Sequence, residues 1–255
     1  MRISSPFPPE FGFACVSTED LGGYEPHPDE LESLSSKAVE KRRTEFFLGR
    51  LAALRALQAI GVTPQPVLKA KSREPVWQDG IVGAITHKAD TALAVVARKD
   101  MTCGVGVDLE ALERPVRFQI STKVCTEAEQ AWLAEAPAEK DTRLKMIFSA
   151  KEAGFKAFFP IEQIFLGYRD AELAWREETE SFSGTLLKGA GDHHPIGTSF
   201  EVGCRITGDF VFSFISRPPL WIQPNEERHV PVPWETTRSI SYQEGYKALS
   251  MQGFA

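Results

Sequence analysis

Two carboxylates one residue apart, Asp108 and Glu110 in GVGVDLE, are the first residues of this chain whose spacing suggests chemistry. In an extended strand alternate side chains share a face. Val105, Val107 and Leu109 would point one way, and Gly106, Asp108 and Glu110 the other. Like charges held so close favour a cation between them. An all-oxygen pair suits Mg²⁺, which commonly takes one or two carboxylates plus substrate phosphate oxygens. The bland alternative is a solvated strand face that ends in a turn.

A third carboxylate lies in FSAKEAGFKAFFP, residues 148–160. At about 100° per residue, Leu144, Phe148, Phe155 and Phe159 fall on one stripe expected to be buried. Lys145, Glu152 and Lys156 run along its edge. Glu152 and Lys156 are four apart and can meet as an ordinary helical ion pair. A functional alternative adds Glu152 to Asp108 and Glu110 as a three-carboxylate metal site, with Lys151 and Lys156 left to meet phosphate.

A basic set completes the inventory. Between Lys37 and Arg55 stand six basic residues and two acidic ones, in a chain with net charge −6. Arg43 and Arg50 share one helical face, with Arg42 beside them, and guanidinium forks match phosphate oxygens. Lys69 and the segment Thr86, His87 and Lys88 add donors. Each set alone reads as a charged surface; the acidic and basic sets together point to a metal and a phosphate.

Other chemistries find no support. No G-x-x-x-x-G-K-[ST] loop and no G-x-S-x-G elbow occurs. His193 and His194 in GAGDHHPIGT read as a loop tip. Cys15, Cys103, Cys125 and Cys204 are scattered without a C-x-x-C pair, which fits neither a zinc site nor a disulfide framework and suggests a reducing, cytoplasmic setting. No signal peptide and no membrane-length apolar run is read. The overall acidity argues against nucleic acid as a partner.

The elements that must position these residues follow from periodicity. The 255 residues, 42% hydrophobic and 25% charged, allow one large domain or two small ones. A strand is expected at FGFACV and a helix from about Ser36 to Ile60, stopped by Gly61, Pro64 and Pro66. GIVGAITH, TALAVVAR and CGVGVDLE read as strands. Helical stretches follow near 120–135 and 139–159, then strands at YRDAELAW, SFSGTLLKG, TSFEVGCRI and DFVFSFISR. The expectation is an α+β fold of two similar halves, 1–112 and 113–218, with 219–255 as an extension of unread role. Nothing in the sequence demands more than a monomer.

Four blocks, RRTEFFLGRLAALRAL, EPVWQDGIVGAITH, GVGVDLE and FSAKEAGFKAFFP, together resemble the 4′-phosphopantetheinyl transferases of the Sfp type. The nearer likeness is to the subgroup of enterobactin synthetase component D. With FLGYRDAELAW the resemblance covers about residues 40–215. It implies two α+β halves with coenzyme A and Mg²⁺ between them. It also implies transfer of the phosphopantetheine arm to a serine of an apo acyl, peptidyl or aryl carrier protein, releasing adenosine 3′,5′-bisphosphate. By the same resemblance Asp108, Glu110 and Glu152 are metal positions. Arg42, Arg50, Lys69, Thr86 and His87 would hold the nucleotide, and Lys151 and Lys156 the pyrophosphate. Glu152 is implied as the base for the serine and Lys156 as the group that stabilises the departing phosphate.

Departures from the family pattern are Ala84 and Ala153, where serine is common, and Glu74, where some members carry lysine; Lys69 is assigned the basic contact of that loop. Arg114, Arg117 and Lys123 are the candidate docking cations for the carrier. The alternatives are another Mg²⁺-dependent nucleotide enzyme, or a non-catalytic module that binds coenzyme A or carrier proteins.

Overall fold

The computed structural model describes residues 3–35, 37–113 and 120–219. The first half holds β1 (Gly12–Ser17), α1 (Pro28–Glu32), α2 (Glu40–Ala59), the short β2 (Leu68–Lys69) and β3 (Pro75–Val76), and the hairpin β4 (Ile81–Lys88) and β5 (Thr91–Arg98). The second holds β6 (Gly104–Ala111), α3 (Ser121–Val124), α4 (Glu127–Glu135), α5 (Lys140–Glu162), β7 (Ala171–Arg176), β8 (Ser181–Leu186), β9 (Ser199–Thr207) and β10 (Phe210–Arg217). All strand pairs are antiparallel. One sheet has the order β1-β5-β4, another β6-β10-β9-β8-β7, and β2 and β3 pair by themselves.

Three apolar clusters stack these elements as helix, sheet, sheet, helix. α2 packs through Leu48, Ala52, Ala56 and Leu57 on Ala92, Ala94 and Val96 of β5. The other face of that strand, Leu93, Val95 and Ala97, meets Val105, Val107 and Leu109 of β6 and Phe210, Phe212 and Phe214 of β10. The far face of the second sheet, with Val202, Val211 and Ile215, packs on Ile147, Ala150, Ala153 and Ala157 of α5. β5 is therefore covered on both faces, which is why TALAVVAR reads as a continuous apolar run rather than an alternation.

The two halves use one device to seat helix on strand. A side chain on Gly12 would run into the carbonyl of Ala56 in α2, and side chains on Gly104 and Gly106 would run into the carbonyls of Ala157 and Ala153 in α5. The room beside Gly106 thus belongs to the backbone of α5, which can approach only where no Cβ intervenes.

Several expectations shift. β6 pairs with β10, so the boundary expected at residue 112 falls before Gly104. α2 starts at Glu40 rather than near Ser36, because Val39 is extended (φ −65°, ψ 155°) and precedes the first helical turn. α5 runs past Pro160 to Glu162 and stops where Gln163 turns left-handed (φ 53°). The first residues of YRDAELAW form a 3₁₀ turn, Tyr168–Asp170, ahead of β7. The extension beyond residue 219 lies outside the described residues. No helix among the described residues is long and apolar enough to cross a membrane.

The HH pair divides. His193 is exposed and joins Glu162 at 2.7 Å, as a loop-tip residue would. His194 is only 3% exposed and meets Phe158 edge-on, with neither ring nitrogen hydrogen-bonded among the described residues. Burial, reinforced by the Arg217 charge and opposed by Glu162, lowers its pKa from 6.5 to about 4.

Two expected outcomes follow. Gly106→Ala forces α5 off β6, so chemical denaturation should show a loss of about 2–3 kcal/mol, the scale of an overpacked core. For His194 the unfolded chain takes up a proton that the native state refuses between pH 6.5 and about 4. Its contribution is complete above that window and disappears as pH falls through it. His194→Leu should flatten this part of the stability–pH curve measured by urea unfolding.

Candidate active site

β6 delivers the acids as its alternation requires. Val105, Val107 and Leu109 are buried between the sheets, while Asp108 and Glu110 leave by the other face. Asp108 is 5% exposed. Its Oδ1 accepts from Thr86 Oγ1 at 3.2 Å and from Lys156 Nζ at 2.7 Å, and its Oδ2 is buried with no hydrogen-bond partner among the described residues. Glu110 accepts from Lys88 Nζ. Thr86 meets Asp108 and Lys88 meets Glu110, so β4 and β6 advance together, two residues at a time, although they belong to different sheets. Burial pushes the Glu110 carboxyl up, Lys88 pulls it down, and the Asp108 charge adds to the rise.

α5 brings the third acid. Its Glu152 accepts a hydrogen bond from the Tyr168 hydroxyl. Lys156, one turn on, donates to Val107 O at 3.1 Å as well as to Asp108. Burial raises the Tyr168 hydroxyl pKa, and so do its bond to Glu152 and the charges of Glu152, Asp108 and Glu110. The Tyr168 hydroxyl is thus bonded to one carboxylate and lies in the field of the other two.

The groups on α5 and Tyr168 border a cleft of about 690 Å³ between β3–β4 and the C-terminal part of α5 with the loop to Tyr168. Glu152, Lys156 and Tyr168 line it, among Trp77, Phe155 and Phe159. The aromatic stripe expected in the core is thus split. Phe155 and Phe159 form cleft wall, while the buried face of α5 carries Ile147, Ala150, Ala153, Ala157 and Phe158. Alanines stand on that face at Ala153 and Ala157, where the helix backbone closes on Gly106 and Gly104.

The basic residues stand on the first half. Lys37, Arg42, Lys69 and Arg73 line a second hollow of about 220 Å³ against Phe46. Burial lowers the Lys69 pKa, and the neighbouring charges of Arg73, Arg42 and Arg50 lower it further. Such crowding of cations favours an anion. Arg50 is buried over the Phe46 ring at 4.3 Å; its Nη2 donates to Leu68 O at 3.4 Å and its Nε has no hydrogen-bond partner among the described residues. His87 links the two regions. Its Nε2 is 3.5 Å from Arg42 Nη1. Burial lowers its pKa, opposed by Glu45 and Asp108 and aided by Arg42 and Lys156.

Two sequence-based assignments change. Lys151, expected at a phosphate, is fully buried. Its Nζ donates to Glu129 Oε2 (2.7 Å), Val124 O (2.9 Å) and Tyr168 O (2.6 Å), which uses all three ammonium protons. Thr86, expected at the nucleotide, is buried and spends its hydroxyl on Asp108. Of the docking cations, Arg114 and Arg117 lie outside the described residues, and Lys123 is on α3. Sequence reasoning passed over Tyr168, Glu45 and Arg73. Tyr168 was hidden because its segment reads as the start of a strand.

An oxygen-seeking dication fits this donor set in one respect: Asp108 Oδ2 is a buried, unpartnered acceptor beside two further carboxylates. No group of three acidic, histidine or cysteine residues stands at ion-holding spacing among the described residues. Lys88 and Tyr168 occupy Glu110 and Glu152 instead. By themselves the three carboxylates form no closed cage among the described residues. Mg²⁺ does not need one, because it draws the rest of its shell from water and phosphate.

Comparison with known proteins agrees with this architecture. Residues 30–97 match the family described as the 4′-phosphopantetheinyl transferase N-terminal domain, and residues 104–212 match the 4′-phosphopantetheinyl transferase superfamily. The gap between them is the link from β5 to β6, where one sheet gives way to the next. The chain is 37% identical over 174 residues to 4′-phosphopantetheinyl transferase PptT of Mycobacterium tuberculosis, covering 66% of this chain and 73% of that one. It is 32% identical over 168 residues to 4′-phosphopantetheinyl transferase Npt of Nocardia iowensis, covering 66% and 72%. It is 37% identical over 134 residues to enterobactin synthase component D of Salmonella typhi, covering 52% and 53%, about half of each.

The chain belongs to the 4′-phosphopantetheinyl transferase superfamily. Its activity is the transfer of phosphopantetheine from coenzyme A to carrier proteins.

The two helix lysines should separate in experiment. Lys151→Met leaves Glu129 charged and unpaired in the core, so urea unfolding should register a loss of about 3–5 kcal/mol. Lys156→Ala, at the cleft, should leave the melting temperature near that of the parent and lower turnover instead.

Proposed function

We propose that coenzyme A lies across the junction of the two halves, its nucleotide phosphates toward Arg42, Arg50, Lys69 and His87 and its diphosphate toward Lys156. The reading is carried by Asp108 Oδ2, a buried acceptor with no hydrogen-bond partner among the described residues, together with a separate hollow lined by Lys37, Arg42, Lys69 and Arg73. Asp108, with Glu110 and Glu152, would hold Mg²⁺. When bound, the ion supplies positive charge that offsets the diphosphate and eases approach of a nucleophile.

The remaining work falls to the chain. Glu152 accepts the proton of the carrier serine hydroxyl as its oxygen bonds to the phosphorus that bears the pantetheine. The bond from that phosphorus to the bridging oxygen breaks, and adenosine 3′,5′-bisphosphate leaves with the electron pair. Lys156, already within 2.7 Å of Asp108, supplies positive charge beside the departing oxygen. Thr86 holds Asp108 in place from β4. One chain supplies both faces of the cleft, so a monomer suffices.

The test is to incubate the purified protein with coenzyme A, Mg²⁺ and a panel of apo acyl, peptidyl and aryl carrier proteins, and to read the mass gain of the arm. Glu152→Gln should lower the rate by about 10²–10⁴-fold, the scale of general-base catalysis, while calorimetry still registers coenzyme A binding. Parental activity in that variant would remove Glu152 as the base.

A further inference from the structure

Lys151 and Glu152 are consecutive on α5, so their side chains leave the helix about 100° apart. Lys151 goes into the core and Glu152 into the cleft. The Lys151–Glu129 pair is completely buried, both side chains at 0% exposure. It is also fully satisfied. Besides Lys151, Glu129 accepts from Thr126 N at 2.7 Å and from Leu173 N at 2.8 Å. The pair thereby ties together the end of α3, the start of α4, the start of β7 and the backbone of Tyr168.

Tyr168 returns to the same turn of α5 from the outside. Its carbonyl is held by Lys151 and its hydroxyl donates to Glu152. Its ring stacks on Phe148, with centroids 5.3 Å apart, and tilts against Phe155 at 5.7 Å. With the backbone anchored and the ring held on two sides, the hydroxyl is aimed at one carboxylate.

We propose that Tyr168 is a positioning residue for Glu152, and that the buried Lys151–Glu129 pair serves catalysis by fixing Tyr168. The alternative partner of Glu152 is Lys156, one helical turn away, because glutamate and lysine four apart attract. Collapse onto that ammonium would withdraw both groups from the cleft at once. Tyr168 holds the carboxylate away, and Lys156 is free to reach Asp108. A fully satisfied buried network suits this task, since it specifies one arrangement more than it adds stability. The inference rests on the reading of Glu152 as the base.

Tyr168→Phe in the full chain tests it, because phenylalanine keeps the ring contacts and removes only the hydroxyl. With apo-carrier as acceptor, kcat should fall by about 10–100-fold, the scale of a misplaced reacting group. KM for coenzyme A should stay within about twofold and the melting temperature should hold. An unchanged kcat would overturn the inference. So would a fall in kcat that comes with a lower melting temperature and a higher KM, the pattern of general loosening. Glu152→Gln, assayed in parallel, separates the two readings. If that variant is fully active, the base assignment fails and Tyr168 has nothing to position. If it collapses while Tyr168→Phe matches the parent, only the positioning role fails.

Discussion

The site depends on how closely α5 lies on β6. Two glycines on one strand, Gly104 and Gly106, give up their side chains to the carbonyls of Ala157 and Ala153. No larger residue could stand there without moving the helix outward by the thickness of a methyl. That approach brings Lys156 to 2.7 Å from Asp108 and leaves Glu152, one turn earlier on α5, on the cleft. A strand and a helix nearly fifty residues apart become one chemical unit through backbone contact.

The charges gathered there are balanced by partners from both halves. Lys88 and Thr86 reach across from β4, Lys156 comes from α5, and Tyr168 comes from the loop beyond. Burial pushes the Glu110 carboxyl toward its neutral form, and the hydrogen bond from Lys88 opposes that rise. One oxygen of Asp108 has no hydrogen-bond partner among the described residues, and cations of the first half line a hollow of their own. A small cation at the acids and an anion at the cations is the arrangement we propose.

The two halves repeat one design with different outcomes. In each, a helix crosses a glycine-bearing strand and the sheets meet at a shared apolar layer. In the first half the crossing helix carries arginines and its strands supply hydroxyl and imidazole groups. In the second it carries the acid and the lysines, and behind them the Lys151–Glu129 pair. That pair illustrates how a buried charge can serve placement: besides each other, Lys151 and Glu129 hold Val124, Tyr168, Thr126 and Leu173.

Periodicity made much of this legible in the amino-acid order. The alternation in GVGVDLE separates Asp108 and Glu110 from the buried valines, and the four-residue step places Glu152 beside Lys156, because both follow from local backbone geometry. The four sequence blocks were sufficient to indicate the family. What local geometry cannot say is which side of a helix meets the core. Lys151 and Lys156 look equivalent in FSAKEAGFKAFFP, yet one is sealed against Glu129 and the other faces the cleft. Phe155 and Phe159 look like core and line the cleft, while Ala153 and Ala157 take the positions that close on the glycines of β6. Thr86 and Tyr168 acquire their roles from partners 22 and 16 residues distant. Those outcomes were settled by tertiary packing, most of it inside the second half, since a side chain's job depends on the nearest donor or acceptor in space, and the order of residues does not contain that distance.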